Sequence, residues 1–234
     1  MLPGIPELVK CPSCGFAQKQ ETLMSGNTFG ALHFSDGSRI APMLPETPRY
    51  TKCPECSVLF GVCDAKREKV AKCWGEIHAG KGKGEDAPYI EFLSKDEYCQ
   101  AINEGLYGVS DTDMKGRMLD LRLLLWRAYN RRIHTDAYKA LLDGKKSSLW
   151  NRIGSDDEEV IYRDNCRELL KLLEGSSDDE AYLIKAEIYR NLGDFDRCRE
   201  ALLRISKPKY YRPFIDAIKT ACDTECTLTV PVDV

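Results

Sequence analysis

The chain has 234 residues, of which 43% are hydrophobic and 30% are charged, and its formal net charge is −3. This composition is ordinary for a globular protein and disfavours a dedicated nucleic-acid binder, which carries a stronger basic excess. No run of 18 apolar residues occurs, and the N-terminal stretch "MLPGIPELVK" has neither a basic start nor a long apolar segment. We therefore expect a cytoplasmic protein with no secretory signal and no membrane partner.

The cysteine content is high for a cytoplasmic chain. There are 11 cysteines. In a reducing compartment such residues serve as metal ligands or as small buried hydrophobic side chains more often than as disulfides. Because the number is odd, intrachain disulfides could not pair all of them.

Two stretches near the N-terminus, "KCPSCGFAQK" and "KCPECSVLFG", repeat one pattern of Lys, Cys-Pro-x-Cys, a small residue and a short apolar run. The four cysteines of this pattern are Cys11, Cys14, Cys53 and Cys56. Thiolates two residues apart can hold one ion from a tight turn whose N–H groups point at the sulfurs. Two such turns make a closed tetrahedral site, for which zinc is the usual metal. Gly15 follows the first pair, where a positive φ is often needed, and Ser57 takes its place in the second.

The paired Cys-Pro-x-Cys turns resemble a zinc ribbon over about residues 8–65. That resemblance implies two β-hairpins that carry one structural zinc ion, since all four ligand positions belong to the protein. The pattern also resembles the iron site of rubredoxins, so an electron-transfer protein is an alternative. Cys63 and Cys73 lack the paired spacing and are expected to be half-buried thiols rather than ligands.

The segment between the two cysteine pairs predicts a β-hairpin. In "TFGALHFSDGSRIAPM" the residues Ser35 to Ser38 form a strong turn signal. His33 is expected on the strand surface, with contact to the metal as the alternative. The following "PMLPETPRY" contains three prolines and should run extended back to the second pair.

A glycine-rich and lysine-rich loop follows, with Gly80, Gly82 and Gly84. It lacks the Ser or Thr and the preceding strand of a phosphate-binding loop, so it predicts a flexible linker. We therefore divide the chain into a zinc-ribbon domain at 1–79, a linker at 80–92 and an α-helical domain at 93–234.

Helical periodicity and capping residues dominate the rest of the chain. The predicted helices run from Ser94 to Gly105, over about 113–134, over "TDAYKALLDG" to Gly144, over about 157–174 and over 213–222, with Pro213 in its first turn. The predicted buried positions are Met118, Leu121, Leu125, Ala128, Tyr129, Val160, Ile161, Cys166, Leu169, Leu170 and Leu173.

The stretch "DDEAYLIKAEIYRNLGDFDRCREALLRISKP" resembles one tetratricopeptide repeat, a hairpin of two helices. Ala186 stands at the close helix contact and Tyr189 at the aromatic position, while Gly193 ends the first helix and Asp194 caps the second. Cys198 occupies a position usually held by alanine. Because one such hairpin cannot bury its own apolar face, the neighbouring helices should cover it. The expected fold class is α+β, with a small β zinc ribbon followed by an all-α tetratricopeptide-like bundle.

The sequence shows no catalytic signature, so an enzyme is not the expected function. The resemblances imply a zinc-binding interaction or scaffold protein whose helical-repeat surface binds a protein partner. Lysines and arginines around the cysteine pairs, with Phe16, Phe29 and Tyr50 as stacking groups, give a second hypothesis of weak nucleic-acid binding. Five basic side chains on the long helix could form a patch for an acidic partner or a solvated face: Arg117, Arg127, Arg131, Arg132 and His134.

Overall fold

The computed structural model describes residues 1–84, 86–143 and 153–233. Short strands occupy much of the first 69 residues and helices most of the remainder, which confirms the α+β class. The strands are β1 (Leu2–Pro3), β2 (Glu7–Lys10), β3 (Ala17–Gln20), β4 (Leu23–Ser25), β5 (Leu32–Phe34), β6 (Arg39–Ile40), β7 (Tyr50–Lys52), β8 (Leu59–Gly61), β9 (Lys66–Lys69) and β10 (Pro231–Val232). The helices are α1 (Trp74–His78), α2 (Lys95–Glu104), α3 (Asp111–Leu142), α4 (Asp156–Leu172), α5 (Asp179–Leu192), α6 (Phe195–Leu203) and α7 (Arg212–Asp223).

The chain forms two compact units. The first unit contains Met1–Gly30 and Ala41–Leu121, and the second contains Ala31–Ile40 and Arg122–Val234. The segment between the two cysteine pairs thus contributes ten residues to the mostly helical unit. The predicted domain limits of 1–79 and 93–234 concern independent folding, and they remain a prediction.

Antiparallel strand pairs build the first unit. β3, β2 and β9 form a three-stranded sheet, while β1 pairs with β4 and β7 pairs with β8. The helix α2 in the same unit begins as predicted: the Ser94 side chain accepts from the Glu97 N–H, and the Glu97 carboxylate accepts from the Ser94 N–H. This reciprocal capping box satisfies two backbone donors that the helix itself leaves unpaired. Gly105 ends the helix with a positive φ, also as predicted.

The helix α3 is continuous, and the predicted break near His134 is wrong. Buried apolar residues recur every four positions, at Leu121, Leu125, Tyr129, Ile133 and Ala137, and Trp126 beside them is also buried. The apolar stripe therefore continues through the segment whose Thr and Asp suggested a new helix start. Thr135 Oγ1 donates to the Arg131 carbonyl at 2.9 Å, an arrangement that keeps this threonine inside the helix. The predicted stop at Gly144 lies outside the described residues.

The helix α4 buries Cys166, Leu169 and Leu173 as predicted, but the prediction is wrong for Val160 and Ile161. Val160 is 59% exposed and Ile161 is 43% exposed. The buried positions are Tyr162, Cys166, Leu169 and Leu173, whose spacing of four, three and four residues marks a single helix face. Val160 and Ile161 are apolar, but they lie outside that face.

The predicted helical hairpin is present as α5 and α6. Gly193 adopts the left-handed conformation at the end of α5, and the Asp194 side chain accepts from the Arg197 N–H at the start of α6. Ala186 and Cys198 are fully buried in one core with Ile218 of α7. The helix α7 therefore supplies the cover that an isolated hairpin lacks.

The predicted β-hairpin between the cysteine pairs is also present, but it belongs to the second unit. β5 pairs with β6 through a turn in which Gly37 has a φ of 75°, and the C-terminal strand β10 pairs with the other edge of β5. Ser35 in the turn is 2% exposed and donates to the Glu187 carboxylate at 2.7 Å. Buried polar contacts therefore fix the tip of this hairpin among the helices.

Asp36, next in the same turn, is fully buried beside His134 and Asn130. Its Oδ2 lies 3.0 Å from His134 Nε2 and accepts from Asn130 Nδ2 at 2.8 Å, and its Oδ1 accepts from the Ser38 N–H at 2.9 Å. Burial alone would raise the pKa of Asp36, but the attraction of His134 and these hydrogen bonds lower it to about 2.

The lowered pKa of Asp36 predicts a pH dependence of stability. The ionised carboxylate stabilises the fold above the unfolded pKa of about 4, and this contribution is lost as the pH falls from about 4 to about 2. Asp36→Asn should reduce the unfolding free energy at pH 7 by roughly 2–3 kcal/mol and flatten its decline between pH 5 and pH 2. Urea unfolding across this pH range measures both effects. Asp196→Asn, at a side chain that is 96% exposed, is the control, and equal pH slopes in the two variants would contradict the assignment.

None of the helices among the described residues combines the length and apolar character required to cross a bilayer.

Candidate metal centre

Each Cys-Pro-x-Cys turn lies at the tip of a β-hairpin. β2 leads into Cys11 and β3 leaves the first turn, while β7 leads into Cys53 and β8 leaves the second. The two turns contain the same backbone hydrogen bond at equivalent positions. The Gly15 N–H donates to the Cys11 carbonyl at 2.9 Å, and the Ser57 N–H donates to the Cys53 carbonyl at 2.8 Å. The matched sequence pattern thus produces matched local structure.

The two turns bring the four predicted cysteines together. All four Sγ atoms lie within 4.8 Å of one another. Two of the separations cross between the turns, with 3.7 Å from Cys11 Sγ to Cys56 Sγ and 3.6 Å from Cys14 Sγ to Cys53 Sγ. The sulfurs are therefore arranged as four ligands around one centre, which a metal ion could occupy.

Backbone N–H groups point at the sulfurs, and they affect the protonation of the thiols. The Val58 N–H lowers the pKa of Cys56 to about 7. The equivalent Phe16 N–H lowers the pKa of Cys14, but burial and the three other thiols outweigh it and raise that pKa to about 12. Burial also raises the pKa of Cys53. Because the pKa values of Cys14 and Cys53 are raised, metal binding must displace protons from these thiols and should strengthen with rising pH.

The cluster is part of the hydrophobic core of the first unit. Cys11 is 2% exposed and Cys53 is fully buried, and both pack in one cluster with Val9, Phe60 and Val62. Cys14 at the outer side of the cluster is exposed. Two of the four cysteines thus lie within the core and one faces solvent, an arrangement that would suit an ion between the two hairpins.

The residue after each cysteine pair has a positive φ, of 78° at Gly15 and 61° at Ser57. Glycine adopts this conformation without steric cost, whereas an L-residue pays about 1–2 kcal/mol. We expect Ser57→Gly to leave the cysteine cluster intact and to raise the thermal midpoint of the metal-loaded protein, by a free energy of about 1 kcal/mol.

The first turn supplies the matched control for this prediction. Gly15→Ser should lower the thermal midpoint by a similar free energy, because it introduces the same strain. Calorimetry of both variants checks the pair. A loss of stability in Ser57→Gly would show that the serine side chain makes a contribution larger than its backbone strain.

The remaining predicted ligand candidates lie elsewhere. Cys63 and Cys73 are exposed and outside the cluster, so the expectation that they are half-buried is wrong. Cys63 lies on the surface beside Asp64, whose carboxylate makes two hydrogen bonds to Arg117. His33 lies in β5 of the second unit, where its ring meets that of Phe214 edge-on at 6.4 Å.

The structure divides the basic residues into separate environments. Near the cysteine turns, ion pairs join Lys10 to Glu68, Arg49 to Asp120, Lys52 to Glu97 and Arg67 to Glu7. Tyr50, a proposed stacking residue, is only 4% exposed. On α3, His134 is buried, so it does not belong to a surface patch. These ion pairs and burials reduce the support for a nucleic-acid interface.

Sequence reasoning missed the buried polar residues that join distant segments of the second unit. Glu187 and Arg190 are both fully buried and form an ion pair within α5. Their spacing of three residues is a helix signal, but it gives no indication of burial, because exposed pairs have the same spacing.

Comparisons of the chain with protein-family profiles, with curated protein sequences and with solved structures give no significant match.

Proposed function

We propose that Cys11, Cys14, Cys53 and Cys56 bind one structural zinc ion in a zinc-ribbon module. The supporting observation is the convergence of the four Sγ atoms, with two cross-turn separations of 3.6 and 3.7 Å. A tetrahedral zinc with Zn–S bonds of about 2.3 Å requires S···S separations of roughly 3.8 Å, which these two separations match. Four protein sulfurs leave no coordination position for water, and the ion therefore serves the fold rather than catalysis.

The metal content tests this part of the proposal. Protein purified without chelator should contain about one zinc per chain by elemental analysis, because four thiolates complete one shell. One iron per chain and a red colour would instead support the rubredoxin-like alternative. Absence of any bound metal, with the thiols reduced, would overturn the metal site.

We further propose that the protein acts as an interaction or scaffold protein through its tetratricopeptide-like helices. A surface groove of about 620 Å³ lies along α5, between the end of α4 and α6. Tyr182 and Tyr189 line it, with Lys185 over the first ring at 4.9 Å and Arg197 over the second at 5.8 Å. Four cations and two acids line the groove: Lys171, Lys185, Arg197, Arg204, Glu174 and Glu200. Partly buried tyrosines beside cationic side chains, as in this groove, suit a protein partner.

The partner surface is tested by crosslinked capture from the source cell, with and without nuclease. Arg204→Gln should reduce the recovered partner, whereas Arg167→Gln, at an exposed arginine outside the groove, should leave it unchanged. Loss of the captured material on nuclease treatment would favour the nucleic-acid hypothesis. Equal capture by both variants would show that the partner binds elsewhere.

A further inference from the structure

A second cleft lies in the first unit, beside the second cysteine turn. Its volume is about 360 Å³, and it is bounded by β3, the second turn, residues 88–93 and the start of α2. This size falls at the lower end of the range for small-ligand pockets and suits one side chain or a small molecule.

Gln18 of β3 lines this cleft and is only 3% exposed. Its side-chain Oε1 is buried and accepts no hydrogen bond from the part of the chain that the structure describes. Buried side-chain oxygens are nearly always paired, since an unpaired one loses its hydration without compensation. The cleft therefore presents an acceptor that needs an N–H or O–H donor.

The charged residues of the cleft favour a cation. Glu91 and Glu97 line it together with a single cation, Lys52, whose Nζ lies 3.4 Å from the Glu97 carboxylate. This ion pair is partly exposed, with 37% of the Lys52 side chain and 26% of the Glu97 side chain accessible. Such partly exposed ion pairs contribute little to stability. An incoming cation with better geometry can therefore replace Lys52 at the Glu97 carboxylate.

Two aromatic residues complete the lining. Tyr89 is 51% exposed and Phe92 is 39% exposed. Lys19 Nζ lies 4.9 Å from the centroid of the Tyr89 ring, so an incoming guanidinium competes with this ammonium group or uses the other face of the ring. Aromatic faces attract cations and planar groups, and the guanidinium of arginine is both. An ammonium group lacks the planar arrangement of several N–H donors that would let one ligand reach a carboxylate and an amide oxygen together.

We propose that this cleft binds the guanidinium group of an arginine side chain from a partner polypeptide. The guanidinium donates to Gln18 Oε1 and to the Glu97 carboxylate, and its plane lies against the aromatic lining. This cleft and the groove along α5 have different lining residues. The groove is lined mainly by cations and suits an acidic segment, whereas the cleft takes a cation. The cleft uses the fold of the metal-bound turn, so every test is made on the zinc-loaded full chain.

The direct test is an NMR titration with N-acetyl-arginine N-methylamide. Saturable shifts at the Gln18 side-chain amide and at Tyr89 support the proposal. The N-acetyl-citrulline analogue, which is neutral and has the same shape, should bind at least about tenfold more weakly, because a charged donor to a carboxylate contributes more than 1.4 kcal/mol. The lysine analogue should also bind more weakly, because its ammonium group lacks the planar set of donors. Equal binding of the arginine and citrulline analogues, or no binding of either, would overturn the proposal.

Substitution of Gln18 distinguishes a ligand site from a structural role. Gln18→Met retains the side-chain length and removes the unpaired acceptor, so it should raise the thermal midpoint of the protein while weakening binding of the arginine probe by about tenfold or more. If Gln18 instead serves the fold, for example through an internal water, the same substitution lowers the midpoint and leaves binding unchanged. That result would overturn the proposal.

Two charge variants test the ion pair at the cleft. Lys52→Gln removes the competing cation and should tighten binding several-fold. Lys66→Gln makes the same charge change at an exposed residue of β9 outside the cleft and should have no effect. Glu97→Gln retains the capping box of α2, since glutamine can also cap, but should weaken binding. Equal effects of the two lysine variants would indicate only a general charge effect and would overturn the assigned site.

Discussion

Cys53→Ser is expected to abolish stoichiometric metal binding and to unfold much of the first unit. The substitution leaves three thiolates and an incomplete shell. Structural zinc supplies on the order of 10 kcal/mol of apparent binding free energy in small modules at neutral pH. The core beside the cysteines, which includes Val9, Phe60 and Val62, is small, so it cannot replace a contribution of that size. Elemental analysis and limited proteolysis measure the two effects, with new cleavage expected within residues 1–84.

The second unit should survive this substitution, because its own core holds α5, α6 and α7 together. Far-UV circular dichroism should therefore retain most of its helical signal, apart from α2 and the start of α3, which belong to the first unit. The control is Cys63→Ser, at an exposed cysteine outside the cluster, which should change neither metal content nor cleavage. Loss of the whole helical signal in Cys53→Ser would show that the two units fold as one domain.

Arg190→Met is expected to destabilise the second unit by about 3–5 kcal/mol, since it leaves the Glu187 carboxylate buried without its partner. Arg190 and Glu187 are both fully buried. The Arg190 guanidinium also donates to the Leu228 carbonyl at 2.8 Å and to the Cys226 carbonyl, so it joins α5 to the C-terminal segment. A domain of this size has a total stability of roughly 5–15 kcal/mol, so this loss is large. Urea unfolding followed by circular dichroism measures the change.

An exposed ion pair with the same spacing provides the control. Arg167 pairs with Asp164 in α4, and about 60% of each side chain is accessible. Arg167→Met should cost less than about 1 kcal/mol. The double variant Glu187→Leu with Arg190→Met should recover part of the lost stability, because it removes both buried charges together. Equal effects of Arg190→Met and Arg167→Met would contradict the role assigned to the buried pair.

Local chemistry made several features of the protein predictable from the sequence. The spacing of two residues within each cysteine pair defines a tight turn, and the matched proline and small residue predicted that both turns would adopt the same backbone. Capping residues likewise predicted where helices begin or end, at Ser94, Asp194 and Gly193. The signals for these features lie within a few residues of each other, so no distant contact is needed to find them.

Tertiary structure decided which faces are buried and which segments meet. The apolar pattern of α4 correctly predicted burial of Cys166 and Leu169, but it also included Val160 and Ile161, which are exposed, and it omitted Tyr162, which is buried. Continued burial of Ile133 and Ala137 carries α3 past a segment that resembles a helix start. Burial depends on the neighbours that a helix finds in three dimensions, and a periodic pattern does not specify them.

The hairpin between the cysteine pairs is the clearest case in which the local sequence predicts an element but not the residues that it packs against. Its strands and turn follow from the local sequence, and the structure confirms them. Its place in the second unit depends on Ser35, whose Oγ bonds Glu187 at a separation of 152 residues and the Val230 N–H at 195. Serine is as common in exposed turns as in buried polar contacts, so its identity carries no information about partners so distant. The two cysteine turns and the helix ends have local signals, so they could be predicted from the residues alone. Buried hydrogen bonds between distant residues leave no periodic signal, so only the folded chain shows that residues 31–40 pack among the helices.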